Sequence, residues 1–430
     1  MKIFKKMPSA RLIAICFLAV ILFGAFLLAL PISHTGSEEV SFLDALFTST
    51  SAVCVTGLVV VDTGTAYTIF GKIVIALLIQ TGGLGVATLG IAVTLLVSKR
   101  MTYKDSLLIK DSLNTENLGS VNLLAKKVLL VTLCAEAAGA LLSFSVFIKD
   151  YSFWKALGIS VFHSVSAFNN AGFDILGGMR SLTMYTNNVP LNFITCALIV
   201  CGGLGYLVIL DVIKNKRFKK ITLQSKIVLC MTLSLIAGGT LLLLITDDVN
   251  LLGALFQSVT ARTAGFNTYD LTAFTAAGQL VLCCLMFIGA SPGSTGGGIK
   301  TTTFFSMLVA AKSASTGGKL QTFRRKIPAD IIERAFVVVF LAVSVVIVST
   351  LALCIFEPDR SFIQLLFEEI SAFATVGLSI ASTPTLGSAA RLTLMLSMFI
   401  GRVGPLTIAT LWIYKPQSSY SYTEEGYTIG

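Results

Sequence analysis

Four stretches of this 430-residue chain are short, half-apolar and end in a glycine followed by a bulky apolar residue. They read FLDALFTSTSAVCVTGL from Phe42 to Leu58, VFHSVSAFNNAGF from Val161 to Phe173, LFQSVTARTAGF from Leu255 to Phe266, and LFEEISAFATVGL from Leu366 to Leu378. The residues that could do chemistry are the strips that close each stretch: Cys54-Val55-Thr56-Gly57, Asn169-Asn170-Ala171-Gly172, Arg262-Thr263-Ala264-Gly265 and Ala374-Thr375-Val376-Gly377. A dehydrated monovalent cation needs several oxygen ligands, and backbone carbonyls supply them without placing a full charge in its path. Glycine allows backbone conformations closed to other residues, so successive carbonyls can point the same way. A short helix before each strip would also aim its carbonyl-rich C-terminus, worth about half a negative charge, at the convergence point. One such glycine is commonly only a helix C-cap. Four in equivalent settings argue for a ring, approximately fourfold because the strips differ in sequence.

The elements that must position these strips are apolar. Hydrophobic residues make up 55% of the chain and charged residues 13%, against about 25% charged in an ordinary soluble domain. Runs of the ~20 residues needed to cross a bilayer recur throughout. Each strip has one before it and one after: Leu12 to Leu30 and Ile69 to Val97, Val128 to Ile148 and Leu191 to Ile213, Ile227 to Ile245 and Leu280 to Ala311, Ala335 to Phe356 and Leu392 to Ile413. The fold class expected is an all-α integral membrane protein of four helix, pore-loop, helix repeats, with eight transmembrane helices and four re-entrant pore helices in pseudo-fourfold arrangement. The repeats run 1–98, 99–214, 215–312 and 313–414, followed by a polar tail at 415–430 bearing Tyr420, Tyr422 and Tyr427. Leu12 to Leu30 follows basic residues as a signal peptide would, but it is long enough to span and is read as a retained helix.

The net charge of +10 is distributed as membrane topology requires. Basic residues cluster at Lys2 to Arg11, Lys99 to Lys127, Lys214 to Lys226, Lys312 to Arg334 and Lys415, which marks those loops and both termini as cytoplasmic. Acids, among them Glu38, Glu39, Asp44, Asp247, Asp248, Glu357, Glu368 and Glu369, fall on the outer face, where they would concentrate cations. The nine cysteines lie mostly in apolar runs as packing residues, not as a disulfide framework, and His34 and His163 lack the company of a metal site.

The second span of the third repeat is interrupted. Gly289, Ser291, Gly293, Ser294, Thr295, Gly296, Gly297, Gly298 and Lys300, with Pro292 among them, cannot continue a helix without large cost. Two half-helices joined by an intramembrane loop are expected, the loop finding its hydrogen bonds from protein or pore water beneath the strips. A phosphate-binding loop is excluded by Ile299, which separates Gly298 from Lys300. Lys300 and Arg402 are the basic residues placed inside the membrane; Lys300 either snorkels or serves the loop, and Arg402, near the middle of the fourth repeat's second span, faces the pore and either braces the loop or slows ion passage. Arg262 either salt-bridges locally to support its strip or repels a second cation. Glu136 is either a proton or cation site or the partner of a neighbouring helix's hydroxyl or amide.

VTGLVVVDTGT (Val55 to Thr65), SAFNNAGF (Ser166 to Phe173), TARTAGFN (Thr260 to Asn267) and ATVGL (Ala374 to Leu378), with LIQTGGLGVATLG (Leu78 to Gly90) and FIGRVGPLT (Phe399 to Thr407), resemble the Trk/Ktr/HKT superfamily of potassium transporters, and within it the membrane subunits of bacterial Ktr systems, the KtrB group. The resemblance covers nearly the whole chain. It implies potassium uptake, with sodium as possible activator or coupling ion, an intramembrane gate at Gly289 to Lys300, a homodimer of pores, and a cytoplasmic nucleotide-binding regulatory ring of the KtrA type. Relatives with serine in the first strip favour sodium, and Gly57 matches the potassium pattern. No covalent cofactor and no nucleic-acid partner is expected. A secondary transporter with alternating access is the competing class, disfavoured because its repeats are commonly inverted; an intramembrane enzyme would need a catalytic constellation that neither histidine supplies.

Overall fold

The computed structural model describes residues 9–37, 39–85, 121–381 and 383–410. Most of the first two basic clusters, Glu38, the distal part of the first repeat's second span, Lys415 and the tail tyrosines lie outside the described residues. Among the described residues the chain is all-helical apart from a two-stranded hairpin, Gln321–Thr322 paired with Arg325–Lys326, and it is built as four repeats of outer helix, pore helix and inner helix.

The outer helices are Ser9–Leu28, Val121–Phe147, Leu223–Thr246 and Ala329–Phe356. Among the described residues these four are long and apolar enough to cross a membrane as single helices, and they expose apolar side chains such as Phe23, Leu141, Leu233 and Ile347 as a lipid-facing helix does. The pore helices are Phe42–Cys54, Phe153–Phe168, Leu251–Thr260 and Phe362–Phe373. Too short to span, they are sharply started: Ser41 and Asp44 form a reciprocal capping box, as do Ser361 and Gln364, and Asn250 accepts from the Gly253 amide.

The inner helices begin at Ile69, Val189, Ala276 and Ser388. Thr68, Asn188 and Thr275 cap the first three. The third breaks as the sequence predicts, into Ala276–Phe287 and Thr301–Thr316 with the glycine-rich loop between. The continuous spans expected in the second and fourth repeats are corrected. Val189–Leu204 meets Tyr206–Asn215 at a 97° bend on Gly205, and Ser388–Val403 gives way to Pro405–Thr410 at Gly404. The first repeat's helix likewise ends at Gly85. All three glycines have positive φ, at 83°, 88° and 99° in chain order, which a side-chain-bearing residue resists by roughly 1–2 kcal/mol. The signal was present as GGLG at Gly82 to Gly85 and Gly202 to Gly205, and as GRVG at Gly401 to Gly404.

In three repeats one three-residue contact seats the pore helix against its outer and inner helices. Ser49 donates to the carbonyl of Ile21 at 2.7 Å, Ser164 to that of Glu136 at 2.7 Å and Ser258 to that of Ile236 at 2.9 Å. Beside each serine lies an outer-helix glycine (Gly24, Gly139, Gly239) on which a Cβ would collide with both the serine hydroxyl and a leucine of the inner helix, Leu78, Leu198 or Leu285. Glycine is required there because the helices approach so closely.

Candidate ion pathway

The four strips are bonded alike to the ends of their pore helices. The amide of Thr56 donates to Ser51 O, that of Ala171 to Ser166 O and that of Val376 to Ser371 O, each at 2.8 Å, while Ala264 donates to Thr260 O at 2.9 Å. The hydroxyls of Ser51 and Ser371 then accept from the amides of Gly57 and Gly377 at 3.0 Å. Val55, Asn170, Thr263 and Thr375 all have positive φ, between 53° and 76°, and so do Gly57, Gly172, Gly265 and Gly377, between 69° and 95°. A repeated handedness change at matching positions gives four strips one shared backbone shape despite four sequences.

The strips also meet. A Cβ on Gly57 would stand 2.5 Å from the carbonyl oxygen of Ala171, and one on Gly172 2.7 Å from that of Ala264. Gly265 stands in the same way against Val376 O, and Gly377 against Thr56 O. Each glycine thus touches the carbonyl that precedes the next repeat's glycine, and the fourth returns to the first. The circuit is closed.

Side chains of the strips turn to the scaffold. Asn169 donates to Glu136 Oε1 at 2.9 Å and Gln80 Oε1 at 2.8 Å, and Gln80 reaches Glu136 Oε2 at 3.3 Å. Glu136 therefore joins amides of two other helices, the second of its two sequence readings. Asn170 bonds to the Thr263 hydroxyl at 3.2 Å. Arg262 is buried beside Ile199, Thr232 and Ile236; the salt bridge considered for it does not occur among the described residues, since no acidic side chain reaches it. His163 bonds to Thr195 at 2.9 Å within an aromatic cluster, and His34 to Leu28 O.

On one side of the ring a cavity of about 270 Å³ is lined by all four glycines and by Asp62, Asp174 and Asp270. Sequence reasoning did not single out these acids, which lie in the connections leaving the strips. Asp62 accepts from the amides of Gly64 and Gly178, joining the first two repeats. Burial pushes the Asp174 carboxyl up to about 6, with the negative Asp62 nearby adding to the rise and the Leu176 amide opposing it. Glu368 and Glu369, expected on this outer face, are instead fully buried: Glu368 accepts from Ser379, the Ala381 amide and Thr383, holding the fourth connection.

On the other side lies the broken-helix loop, bordering a second cavity of about 370 Å³. Its backbone is tied to three neighbours. Ser291 N donates to Gly203 O at 3.1 Å, Tyr206 N donates to Gly293 O at 3.1 Å, and Gly297 N donates to the Thr375 hydroxyl at 3.0 Å. Gly296 and Gly297 lie so close to the Thr263 and Thr375 side chains that neither admits a Cβ. Arg402, at the end of its helix and not mid-span, donates to Thr295 O in the loop and to Gly82 O of the first repeat. Lys300 folds back onto the loop, donating to Gly296 O at 2.6 Å. Gly289, Ser294 and Gly298 complete the segment, where Ile288 and Ile299 pair as a bridge and Thr301 bonds to Ser291 at 3.2 Å.

A family model described as "Cation transport protein", TrkH, matches residues 13–249 and 226–422. The chain belongs to the TrkH family of cation transport proteins. Relatives of this TrkH-family chain include the Ktr system potassium uptake protein B of Bacillus subtilis, 39% identical and covering 96% of this chain and 95% of the relative. The potassium/sodium uptake protein NtpJ of Enterococcus hirae is 37% identical over 99% and 98% respectively. The fold is also that of the TrkH potassium transporter from Vibrio parahaemolyticus, with a TM-score of 0.71 over 92% of this chain and 84% of that one at 20% identity. Like the rest of its family, the chain is a multi-pass membrane protein; the TrkH family is one of cation transporters, not of enzymes.

Proposed function

We propose that this chain carries potassium ions into the cell through a channel-like pore whose filter is the ring of four strips, as the membrane subunit of a Ktr-type system. The observation that carries the reading is the closed circuit of Gly57, Gly172, Gly265 and Gly377 against one another's carbonyls. Carbonyls of Val55, Thr56, Asn170, Ala171, Thr263, Ala264, Thr375, Val376 and their neighbours would replace the hydration shell of a potassium ion. The acidic cavity concentrates cations at the entrance. The names of the relatives, potassium uptake and potassium/sodium uptake proteins, support the ion and a role for sodium as activator or coupling ion.

The loop from Gly289 to Lys300 is the gate. Held by Thr375 from above and Arg402 from the side, it lies between the ring and the second cavity, and opening requires those bonds to release. The repeats divide at 98, 214 and 312, with 414 ending the fourth. Both termini and the basic loops are cytoplasmic. The hairpin bearing exposed Arg324 and Arg325, with Lys319 beside it, offers a cationic face to a KtrA-like nucleotide-binding ring, and two copies of the chain form the transport unit. Reversing the charge at Lys319, Arg324 and Arg325 should abolish capture of the purified ring while leaving the pore folded. Uptake into potassium-depleted cells, with potassium and sodium varied separately, tests the transport reading; absence of uptake of either ion would overturn it.

A further inference from the structure

The seat of the pore helix, glycine, serine and leucine in three repeats, is rebuilt in the fourth. Aligned on the pore-helix stretches, Glu369 takes the place of Ser49, Ser164 and Ser258. Ser349 takes that of the outer-helix glycine, four residues before Leu353 as Gly24 is before Leu28, and Ser397 that of the leucine, seven before Gly404 as Leu78 is before Gly85. A carboxyl and two hydroxyls thus stand where the other repeats pack a serine between a glycine and a leucine.

Glu369 is 0% exposed, and neither carboxyl oxygen closes a hydrogen bond. The hydroxyls of Ser397 and Ser349 stand beside it and bond to each other at 3.2 Å. Three helices pack against its own: Ala276–Phe287, Ala329–Phe356 and Ser388–Val403. Their titratable groups are Cys283 and Cys284; Asp330, Glu333, Arg334 and Cys354; and Arg391 and Arg402. Arg391 is committed to Asp44, Arg402 to two carbonyls, and Arg334 to Asp330 near the start of its helix. Glu368, the neighbour on the same helix, is held by the connection after the strip. No cation among the described residues answers Glu369, and a carboxylate buried without one is expensive.

We propose that Glu369, Ser349 and Ser397 form a proton-binding site in the fourth repeat, absent from the other three. The carboxyl keeps its proton at neutral pH, beside the two hydroxyls; alkaline solution removes it and leaves a negative charge on the helix Phe362–Phe373, which leads into the strip Ala374 to Gly377. That strip presents the Thr375 hydroxyl to the gate amide of Gly297. The packing of Glu369 against Ser349 and Ser397 is independent of which ion the ring holds.

Infrared difference spectroscopy of the full-length protein in lipid vesicles tests it. A protonated-carboxyl stretch present at neutral pH should be missing in Glu369→Gln and should fade in the wild type on alkaline titration. The triple variant Ser349→Gly, Glu369→Ser, Ser397→Leu, which restores the seat of the other repeats, should fold, melt no lower than wild type and lack the same band. Identical neutral-pH spectra for wild type and variants would overturn the proposal. So would a wild-type melting temperature raised by sodium over choline only when Glu369 is present, which would make this a sodium site.

Discussion

The carbonyl oxygen of Thr56, in the first repeat, occupies the space where a Cβ on Gly377, in the fourth, would stand. This contact joins the two ends of the chain's repeat order, and with its three counterparts it turns four half-crossing segments into one ring. Replacing any ring glycine therefore disturbs two repeats at once. Gly57→Ser introduces a Cβ 2.5 Å from Ala171 O at a φ of 95°, with a conformational cost of about 1–2 kcal/mol before any clash. Potassium uptake should fall about tenfold, and the potassium-to-sodium ratio should fall with it when both ions are measured side by side.

Arg402 holds the gate loop by one hand and the first repeat by the other. Arg402→Ala removes both bonds and should raise flux in the absence of the regulatory ring by several-fold. Lysine should restore the closed state poorly, since a single ammonium cannot span both carbonyls as the guanidinium fork does. Unchanged flux, ion affinity and gating in the alanine variant would remove Arg402 from the gate.

Asp174 gives the entrance a pH dependence. Its carboxyl, raised to about 6, is neutral below that value and charged above it, so the cavity loses negative charge as the medium acidifies through pH 6. Uptake at limiting potassium should decline over that interval, and Asp174→Asn should start lower and show a flatter profile.

Asp44 and Arg391 are ion-paired at 2.6 Å and largely shielded from solvent. The pair links the capping box of the first pore helix to the fourth inner helix, so it too closes the circle of repeats. Removing one partner strands the other charge, and Arg391→Ala should cost about 3 kcal/mol, read as a lowered melting temperature in detergent. Reversing both, Asp44→Arg with Arg391→Asp, should recover less than half, because the arginine also donates to Leu386 O and Pro384 O.

The ring and the broken helix were legible because each is written in backbone-determining residues: a recurrent glycine after a short apolar helix, and five glycines and a proline inside one span. What escaped was contact between repeats. Nothing in the order of residues says that Asp44 meets Arg391, or that Asn169, Gln80 and Glu136 form one polar cluster. Glu368 and Glu369 were misplaced for a related reason. A charge in a short segment reads as exposed, whereas the pore helix is buried by its neighbours from Phe367 to Phe373. The breaks at Gly205 and Gly404 were hidden by hydropathy, which stays high on both sides of a bend that a single positive-φ glycine makes.

The account stands or falls on whether a cation occupies the ring. A density map of the protein in rubidium or thallium, with anomalous differences recorded, measures this directly. The account predicts a peak on the axis shared by Gly57, Gly172, Gly265 and Gly377, displaced when potassium is returned and weakened in Gly57→Ser. A ring without ion density in the presence of either cation, or one filled by lipid, would contradict it.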